Sequence, residues 1–133
     1  MKEVLDTRFL LVYSFADTTD LRERARRKME AVRRSREGVL PTAAISEFFT
    51  EVCRRAGKRE AQRHVASLLA AGLHVQTLTP AIAIAAGGHR CGHRGIPLAD
   101  CLIAATAQEL RGRVVSDDPH FREIPGVRVT WMA

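Results

Sequence analysis

Four acidic residues stand where folding could bring their carboxylates together. Two follow short apolar segments and two lie early in segments of helical spacing; they are Asp6, Glu47, Asp100 and Asp118. Buried carboxylates are costly and repel one another unless they are neutralised. Hard divalent cations such as Mg²⁺ or Mn²⁺ prefer oxygen ligands and remove that repulsion. Such an ion also polarises a phosphoryl oxygen and lowers the pKa of bound water, so this pattern predicts chemistry on phosphodiester bonds.

Each acid also has a purely structural explanation. Asp100 would be favourable at a helix N-terminus, by about 0.3–1 kcal/mol. Asp117 or Asp118 would suit a turn in which the side chain bonds its own backbone. Glu47 is harder to explain in this way, because its neighbours at helical spacing are apolar. Asp6 is intermediate, and the spacing of the four acids alone does not name an enzyme.

The segments that must position these acids alternate between short apolar runs and longer runs of helical spacing. Such alternation predicts a parallel sheet covered by helices, with ligands at the carboxyl ends of the strands. Thr42 and Thr79 are expected to cap the helices that follow them. Strands are predicted over 3–5, 39–40, 73–78, 113–115 and 127–130, and helices over 9–15, 20–36, 43–55, 59–71, 80 to at least 86, and 98–110.

Length and composition narrow the class of protein. The chain has 133 residues, which predicts one domain over 1–133, and 46% hydrophobic residues, which argues against disorder. No apolar run approaches the roughly 18 residues of a membrane span, and the first residues lack a leader-like apolar stretch. Three cysteines without a Cys-x-x-Cys pair indicate a reduced compartment. We therefore expect a cytoplasmic protein without a membrane partner.

The charge is basic and is carried mainly by arginine. The formal net charge is +6, with 18 Arg and 3 Lys. Arginine binds phosphate through paired hydrogen bonds, so the surface suits a polyanion, although a GC-rich genome would enrich arginine equally well. The arginine-rich segment 22–36 is interpreted as a solvated helix face in preference to an RNA path. The charge permits a nucleic-acid partner without establishing one.

Three other chemistries are poorly supported. Four residues suggest zinc, namely His89, Cys91, His93 and Cys101, but the glycines of segment 87–95 make a regular helix there doubtful. Cys101 lies in an apolar segment and is interpreted as a core residue, not a nucleophile. The sequence has no Gly-x-x-x-x-Gly-Lys phosphate loop.

The segments around the four acids resemble the PIN-domain family, and within it the VapC-type toxins of toxin–antitoxin pairs. The similarity spans nearly the whole chain, and its segments occur in the order of the family. The two C-terminal segments are the most specific. The matching segments are Val4-Leu5-Asp6-Thr7, Ala44-Ile45-Ser46-Glu47-Phe48, Ile96 to Ala107 with its Pro-Leu-Ala-Asp start, and Val114 to Phe121 with its Ser-Asp-Asp-Pro-His-Phe core.

This resemblance implies a three-layer α/β/α domain with a mainly parallel sheet and a Mg²⁺- or Mn²⁺-dependent endoribonuclease activity on RNA. It implies that the metal ligands are Asp6, Glu47, Asp100 and Asp118. Ser116 would orient a water or a ligand by hydrogen bonding, and Thr7 would support Asp6. Members are commonly homodimers, and toxins of this type are held inactive by an antitoxin protein.

Several alternatives stay open at the level of sequence. The Asp117-Asp118 pair leaves the fourth ligand ambiguous by one residue, and the following Pro119-His120-Phe121 favours Asp118. His120 is expected to pack or hydrogen-bond in its loop in preference to acting as a general acid. The chain could also be a catalytically silent RNA- or protein-binding module, or an RNA-processing nuclease that is not a toxin; all four acids argue against the silent module.

Overall fold

The structure is a computed structural model that describes residues 1–132. Five short strands form one sheet in which every pairing is parallel. Their spatial order is β3-β2-β1-β4-β5, so the first strand lies at the centre. The strands are β1 (Glu3–Leu5), β2 (Gly38–Pro41), β3 (His74–Gln76), β4 (Arg113–Val115) and β5 (Val129–Thr130).

Helices flank the sheet and give the predicted three-layer α/β/α architecture. Parallel strands require such crossover helices, because each strand must return to the same end of the sheet. Within residues 1–132, none of the helices combines the length and the apolar character that crossing a membrane requires. The helices are α1 (Thr7–Phe15), α2 (Thr19–Ser35), α3 (Thr42–Ala56), α4 (Lys58–Leu69), α5 (Pro80–Gly92), α6 (Leu98–Glu109) and α7 (His120–Glu123).

The central strands are covered on both faces. Val4 and Leu5 of β1 are fully buried, as are Val114 and Val115 of β4. Both faces of a parallel sheet pack against helices, so these strands are continuously apolar instead of alternating. The largest side chains buried around them come from three different helices and are Phe9, Phe48 and Phe121.

The strand order creates a switch point between β1 and β4. From β1 the chain proceeds outward to β2 and β3, and it then returns to the other side of β1 for β4 and β5. The register places Val4 opposite both Val39 and Val114. Ligands in open parallel sheets bind in the crevice outside the carboxyl ends of the strands at such a point. Asp6 and Ser116 follow the two strands that border this crevice.

Most predicted elements are present, with three differences. Thr42 does not cap α3, because Pro41 is still paired within β2 and the helix begins directly at Thr42. The glycine-containing segment after Ala86, where the sequence left the end of the helix open and made a regular helix doubtful, continues as helix to Gly92. The short helix α7 was not predicted. Thr79, in contrast, caps α5 as expected by accepting a hydrogen bond from the Ile82 N–H at 3.2 Å.

At the amino end of β1 a carboxylate is paired with basic groups. Glu3 is 8% exposed, and its Oε1 accepts a hydrogen bond from Lys28 Nζ at 2.6 Å. The guanidinium of Arg113 contacts the same oxygen at 3.0 and 3.1 Å. Lys28 is as deeply buried as Glu3, so the two charges neutralise each other inside the protein. We call these three residues the basic-end cluster.

Candidate metal centre

Asp6 is fixed at the carboxyl end of β1 by both its backbone and its side chain. Its N–H donates to the Val115 carbonyl at 3.2 Å, which extends the pairing between β1 and β4. It is also the N-cap of α1, and its Oδ2 accepts from the Arg8 N–H at 3.4 Å. The same oxygen accepts a hydrogen bond from the Ser116 hydroxyl at 2.7 Å. Asp6 is buried, and its hydrogen-bond donors in the part of the chain described are neutral.

Glu47 reaches the same edge of the sheet from α3. It is half-buried, and its Oε1 accepts a hydrogen bond from the Thr7 hydroxyl at 2.7 Å. The sequence resemblance placed Thr7 as the support of Asp6. In the structure the hydroxyl of Thr7 instead bonds Glu47, because the first turn of α1 directs it toward α3.

Asp100 lies in the first turn of α6, which packs against β1 and β4. Most residues of this helix are buried, and Asp100 itself is only 7% exposed. Its Oδ2 lies 2.9 Å from Nδ1 of His120. A carboxylate in such an apolar helix is thus presented to the crevice and not to bulk solvent.

The neighbours Asp117 and Asp118 point to different surroundings. The Asp118 N–H donates to the Ser116 hydroxyl at 3.0 Å, and its Oδ1 accepts from the His120 N–H at 3.0 Å. These bonds direct Asp118 toward Asp100 and His120. Asp117 is exposed and accepts a 2.6 Å hydrogen bond from Arg8 Nε. The geometry therefore brings Asp118, and not Asp117, into the crevice.

The predicted acids assemble as two overlapping groups that share Asp100. Ligand atoms lie within 4.8 Å of one another in each group. The first group is all oxygen and consists of Asp6, Glu47 and Asp100; the second consists of Asp100, Asp118 and His120. We call them the oxygen group and the histidine group. All four acids predicted from the sequence thus meet at one edge of the sheet, and Ser116 lies between Asp6 and Asp118.

Burial makes the carboxylates reluctant to ionise in the protein alone. It raises the pKa of Asp6 to about 7, despite the hydrogen bond from Ser116 and with a contribution from the Asp100 charge. Burial likewise raises the pKa of Glu47 and of Asp100. The hydrogen bond to Asp100 raises the pKa of His120. When these carboxylates are ionised they repel one another, and a bound cation would remove that repulsion.

The donor set fits a hard divalent cation. Carboxylate oxygens approach from three separate elements, and the nearby Arg8 is already paired with Asp117. Oxygen ligands of this kind suit Mg²⁺ and Mn²⁺. An ion held there would also return the acids to their ionised form, because opposite charge lowers a carboxyl pKa.

The zinc hypothesis finds no support within residues 1–132. Nε2 of His89 bonds Gln108 Oε1 at 2.6 Å, and His93 contacts the carbonyl of His89. Cys101 is buried in the core, whereas Cys91 is exposed. None of these four residues belongs to a group with metal-ligand spacing in the part of the chain described.

His120 lies closer to the four acids than its sequence position predicted. The expected hydrogen bond within its own loop is present, from the His120 N–H to Asp118, and the ring in addition contacts Asp100 on α6. The signal available in the sequence was its spacing of two residues from Asp118. In a turn, that spacing lets the His120 N–H bond the aspartate side chain and keeps the ring beside it.

Comparisons with known proteins agree with this fold. The sequence matches the PIN domain family over residues 4–127. Sequence comparison with curated proteins returns no match. VapBC2 from Rickettsia felis, solved bound to a DNA fragment from its promoter, superimposes with a TM-score of 0.81 at 16% identity, covering 98% of each chain.

Two further solved structures are similar over nearly their whole length. DNA-bound VapBC from Salmonella typhimurium gives a TM-score of 0.77 at 20% identity, covering 100% of this chain and 99% of the other. VapC20 from Mycobacterium tuberculosis, described as a sarcin-ricin loop cleaving toxin, gives 0.79 at 18% identity, covering 96% and 98%. At such identities these likenesses concern the fold.

Proposed function

Since this chain belongs to the PIN domain family, we propose that it is a divalent-metal-dependent endoribonuclease that hydrolyses RNA phosphodiester bonds. The observation that carries the proposal is the convergence of four carboxylates at the sheet's switch point, where burial raises the pKa of Asp6, Glu47 and Asp100. A merely structural cluster would be neutralised by the protein itself. The amino end of β1 shows that this chain can do so, because Glu3 is paired there with Lys28.

The side chains take separate roles in this proposal. Asp6, Glu47, Asp100 and Asp118 hold Mg²⁺ or Mn²⁺. When bound, such an ion polarises the phosphoryl oxygen and lowers the pKa of a water nucleophile. Ser116 keeps Asp6 oriented through its 2.7 Å hydrogen bond and accepts from the Asp118 N–H, so one hydroxyl aligns acids on both sides of the crevice.

An RNA substrate is favoured by basic groups beside the acids. A surface cavity of about 320 Å³ is lined by Glu47 together with Arg54. A second cavity of about 260 Å³ has Arg8 and Arg55 among its lining residues. Guanidinium groups at these positions would hold the phosphates on either side of the cleaved bond. The net charge of +6 favours the same class of partner.

We also propose that the protein is a cytoplasmic homodimer and the toxin of a toxin–antitoxin pair. The resemblance of its motifs to VapC-type toxins supports this, as does the similarity of its fold to VapBC structures. The antitoxin partner would be a protein encoded beside it. Co-purification of a small neighbouring gene product that suppresses cleavage would support the assignment, and an isolated gene would favour an RNA-processing nuclease.

The test is cleavage of a mixed RNA pool by purified protein with Mn²⁺, with Mg²⁺ and with EDTA. One variant is the double change Asp6→Asn/Asp100→Asn, which removes two proposed ligands. The other two are single changes at neighbouring positions, Asp118→Asn and Asp117→Asn. We expect metal-dependent cleavage that the double variant and Asp118→Asn abolish. Asp117→Asn should cleave normally, because that carboxylate lies outside both groups.

Two outcomes would contradict the proposal. Cleavage that resists EDTA and survives in the double variant would indicate a contaminating nuclease or a different mechanism. Absence of cleavage from folded protein freed of any partner, across all three conditions and a wide range of RNAs, would favour the silent binding module. Wild-type cleavage in both single variants, Asp117→Asn and Asp118→Asn, would contradict only the assignment of a fourth ligand.

A further inference from the structure

The histidine group has a different chemistry from the oxygen group. Its members are two carboxylates and one imidazole, from Asp100, Asp118 and His120. Mg²⁺ strongly prefers oxygen ligands, whereas imidazole nitrogen favours transition-metal ions. The resemblance assigns metal ligation to acids only, and it gives His120 no such role.

The distances within this group suit direct coordination. Ligands on adjacent corners of an octahedron, each about 2.1 Å from the ion, lie about 3 Å apart. Nδ1 of His120 is 2.9 Å from Asp100 Oδ2 and 3.3 Å from Asp118 Oδ1. An ion could therefore contact all three atoms after only small side-chain movements.

The ring is also held in place by its own chain segment. The His120 N–H donates to the same Asp118 oxygen that faces the ring, so backbone and side chain are fixed together. Phe121, the next residue, is fully buried and anchors α7 against the core. The His120 side chain is 37% exposed, which leaves space for water ligands on the outer side of an ion.

We propose that His120 is a direct nitrogen ligand of a transition-metal position formed with Asp100 and Asp118, beside the all-oxygen position of Asp6, Glu47 and Asp100. This inference rests on the proposed function, because both positions share Asp100. The consequence is a difference in affinity. His120 adds a nitrogen ligand that strengthens the binding of Mn²⁺, whereas it contributes little to the binding of Mg²⁺. In the alternative, His120 is only an ionic partner of Asp100 that an incoming metal displaces.

The test measures bonding to the metal and not activity. Mn²⁺ is added to the purified protein, and pulsed electron paramagnetic resonance detects whether a ¹⁴N nucleus is coordinated. Wild type is compared with His120→Asn and with His74→Asn, the same change at an exposed histidine on β3. Calorimetric titrations of Mn²⁺ and Mg²⁺ follow for all three proteins, after circular dichroism has shown that each is folded.

We expect nitrogen coupling in wild type and in His74→Asn, and its loss in His120→Asn. Affinity for Mn²⁺ should fall at least about tenfold in His120→Asn, as for other changes around metal ligands, while affinity for Mg²⁺ changes less than about threefold. Coupling that persists in His120→Asn, or is absent from Mn²⁺-loaded wild type, overturns the inference.

A separate cleavage assay distinguishes failure of the inference from failure of the proposed function. If wild type cleaves RNA in a metal-dependent manner while its bound Mn²⁺ shows no nitrogen coupling, only the role of His120 falls. If the protein neither binds Mn²⁺ nor cleaves RNA with any divalent ion, the nuclease proposal falls as well.

Discussion

The two ends of strand β1 carry carboxylates in opposite electrostatic situations. Glu3 at the amino end is paired with Lys28 and Arg113 at distances of 2.6 to 3.1 Å. Asp6, three residues later, is more deeply buried, and within residues 1–132 its side chain accepts hydrogen bonds from a hydroxyl and a backbone N–H. The same sheet therefore contains one satisfied acid and one whose charge is left without an internal partner.

This difference distinguishes the two acids better than burial does. Burial costs both carboxylates solvation, and the protein compensates that cost at only one end. At the carboxyl end, Asp6, Glu47 and Asp100 meet at the switch point of the sheet, where their side chains bond hydroxyls, a backbone N–H and the His120 ring. An acid that the fold does not neutralise indicates a partner from outside, and here a divalent cation fits.

The largest expected effect is on cleavage, when the shared ligand is changed. Asp100→Asn preserves shape but removes a charge from both metal groups. Because a metal supplies several kcal/mol of transition-state stabilisation, we expect cleavage to fall at least about a thousandfold. The fold should remain intact by circular dichroism. Activity within tenfold of wild type would exclude Asp100 as an essential ligand.

The next largest expected effect is the pH dependence of stability against unfolding in the absence of metal. The Asp6 pKa is about 7 in the folded protein against 3.8 for an unperturbed aspartate, so protonation favours the folded state. The stability that this group contributes should therefore be fully present below about pH 4 and be lost as pH rises through about 7. The loss is on the order of 4 kcal/mol in total, of which about 2.5 kcal/mol falls between pH 5 and pH 8. The raised pKa values of Glu47, Asp100 and His120 act in the same direction.

Urea unfolding in EDTA at pH 5, 6, 7 and 8 measures this dependence. Asp6→Asn cannot ionise, so its stability should change less with pH and should exceed that of wild type at pH 8. Saturating Mn²⁺ should restore the stability of the wild type at pH 8, since the ion binds the folded state alone. A wild type that becomes more stable from pH 5 to pH 8 in EDTA would contradict the contrast between the two ends.

A slightly smaller loss is expected when the basic-end cluster is broken. Lys28→Met leaves Glu3 buried with only the half-exposed Arg113, and breaking a buried ion pair costs about 3 kcal/mol or more. Cleavage per folded molecule should be unchanged. The double change Glu3→Met/Lys28→Met should recover much of the stability in urea unfolding. Failure of that recovery would mean that Lys28 acts through its packing rather than through charge.

The smallest expected effect concerns the hydroxyl of Thr7, which supports Glu47. Thr7→Val keeps the shape of the side chain but removes the 2.7 Å hydrogen bond to Glu47. Hydrogen bonds that orient a ligand commonly affect metal affinity by about tenfold, and we expect a loss of that size by calorimetry. Thr50→Val, which alters a local helical hydroxyl on α3, serves as the matched control. Equal affinities in both variants would remove Thr7 from the site.

The sequence was most informative where the local pattern of apolar residues directly reflects how a segment packs in the fold. The apolar runs at β1 and β4 end at Leu5 and Val115, as predicted, because fully buried parallel strands must be continuously apolar. The position of the acids followed from those ends, since all parallel strands terminate at one edge. The assignment of catalytic and metal-binding roles to Asp6, Glu47, Asp100, Asp118 and Ser116 stays a prediction.

Features that depend on distant contacts were not accessible from pattern alone. Glu3 was grouped with an apolar strand, because its partner Lys28 lies 25 residues away on a charged helix. Helix α5 persists through its glycines while it packs against α6, a contact that overrides weak local propensity. The link from His120 to Asp100 likewise joins separate elements.

The position of β1 at the centre of the sheet also has a consequence for synthesis. Asp6 is made early, but its hydrogen-bond donor Ser116 lies 110 residues later. Because the ribosome releases the chain from its amino end, a nascent protein has β2 and β3 available well before β4. The crevice therefore cannot close until translation has passed Ser116 and Asp118. A potentially harmful nuclease would remain inert on the ribosome that makes it.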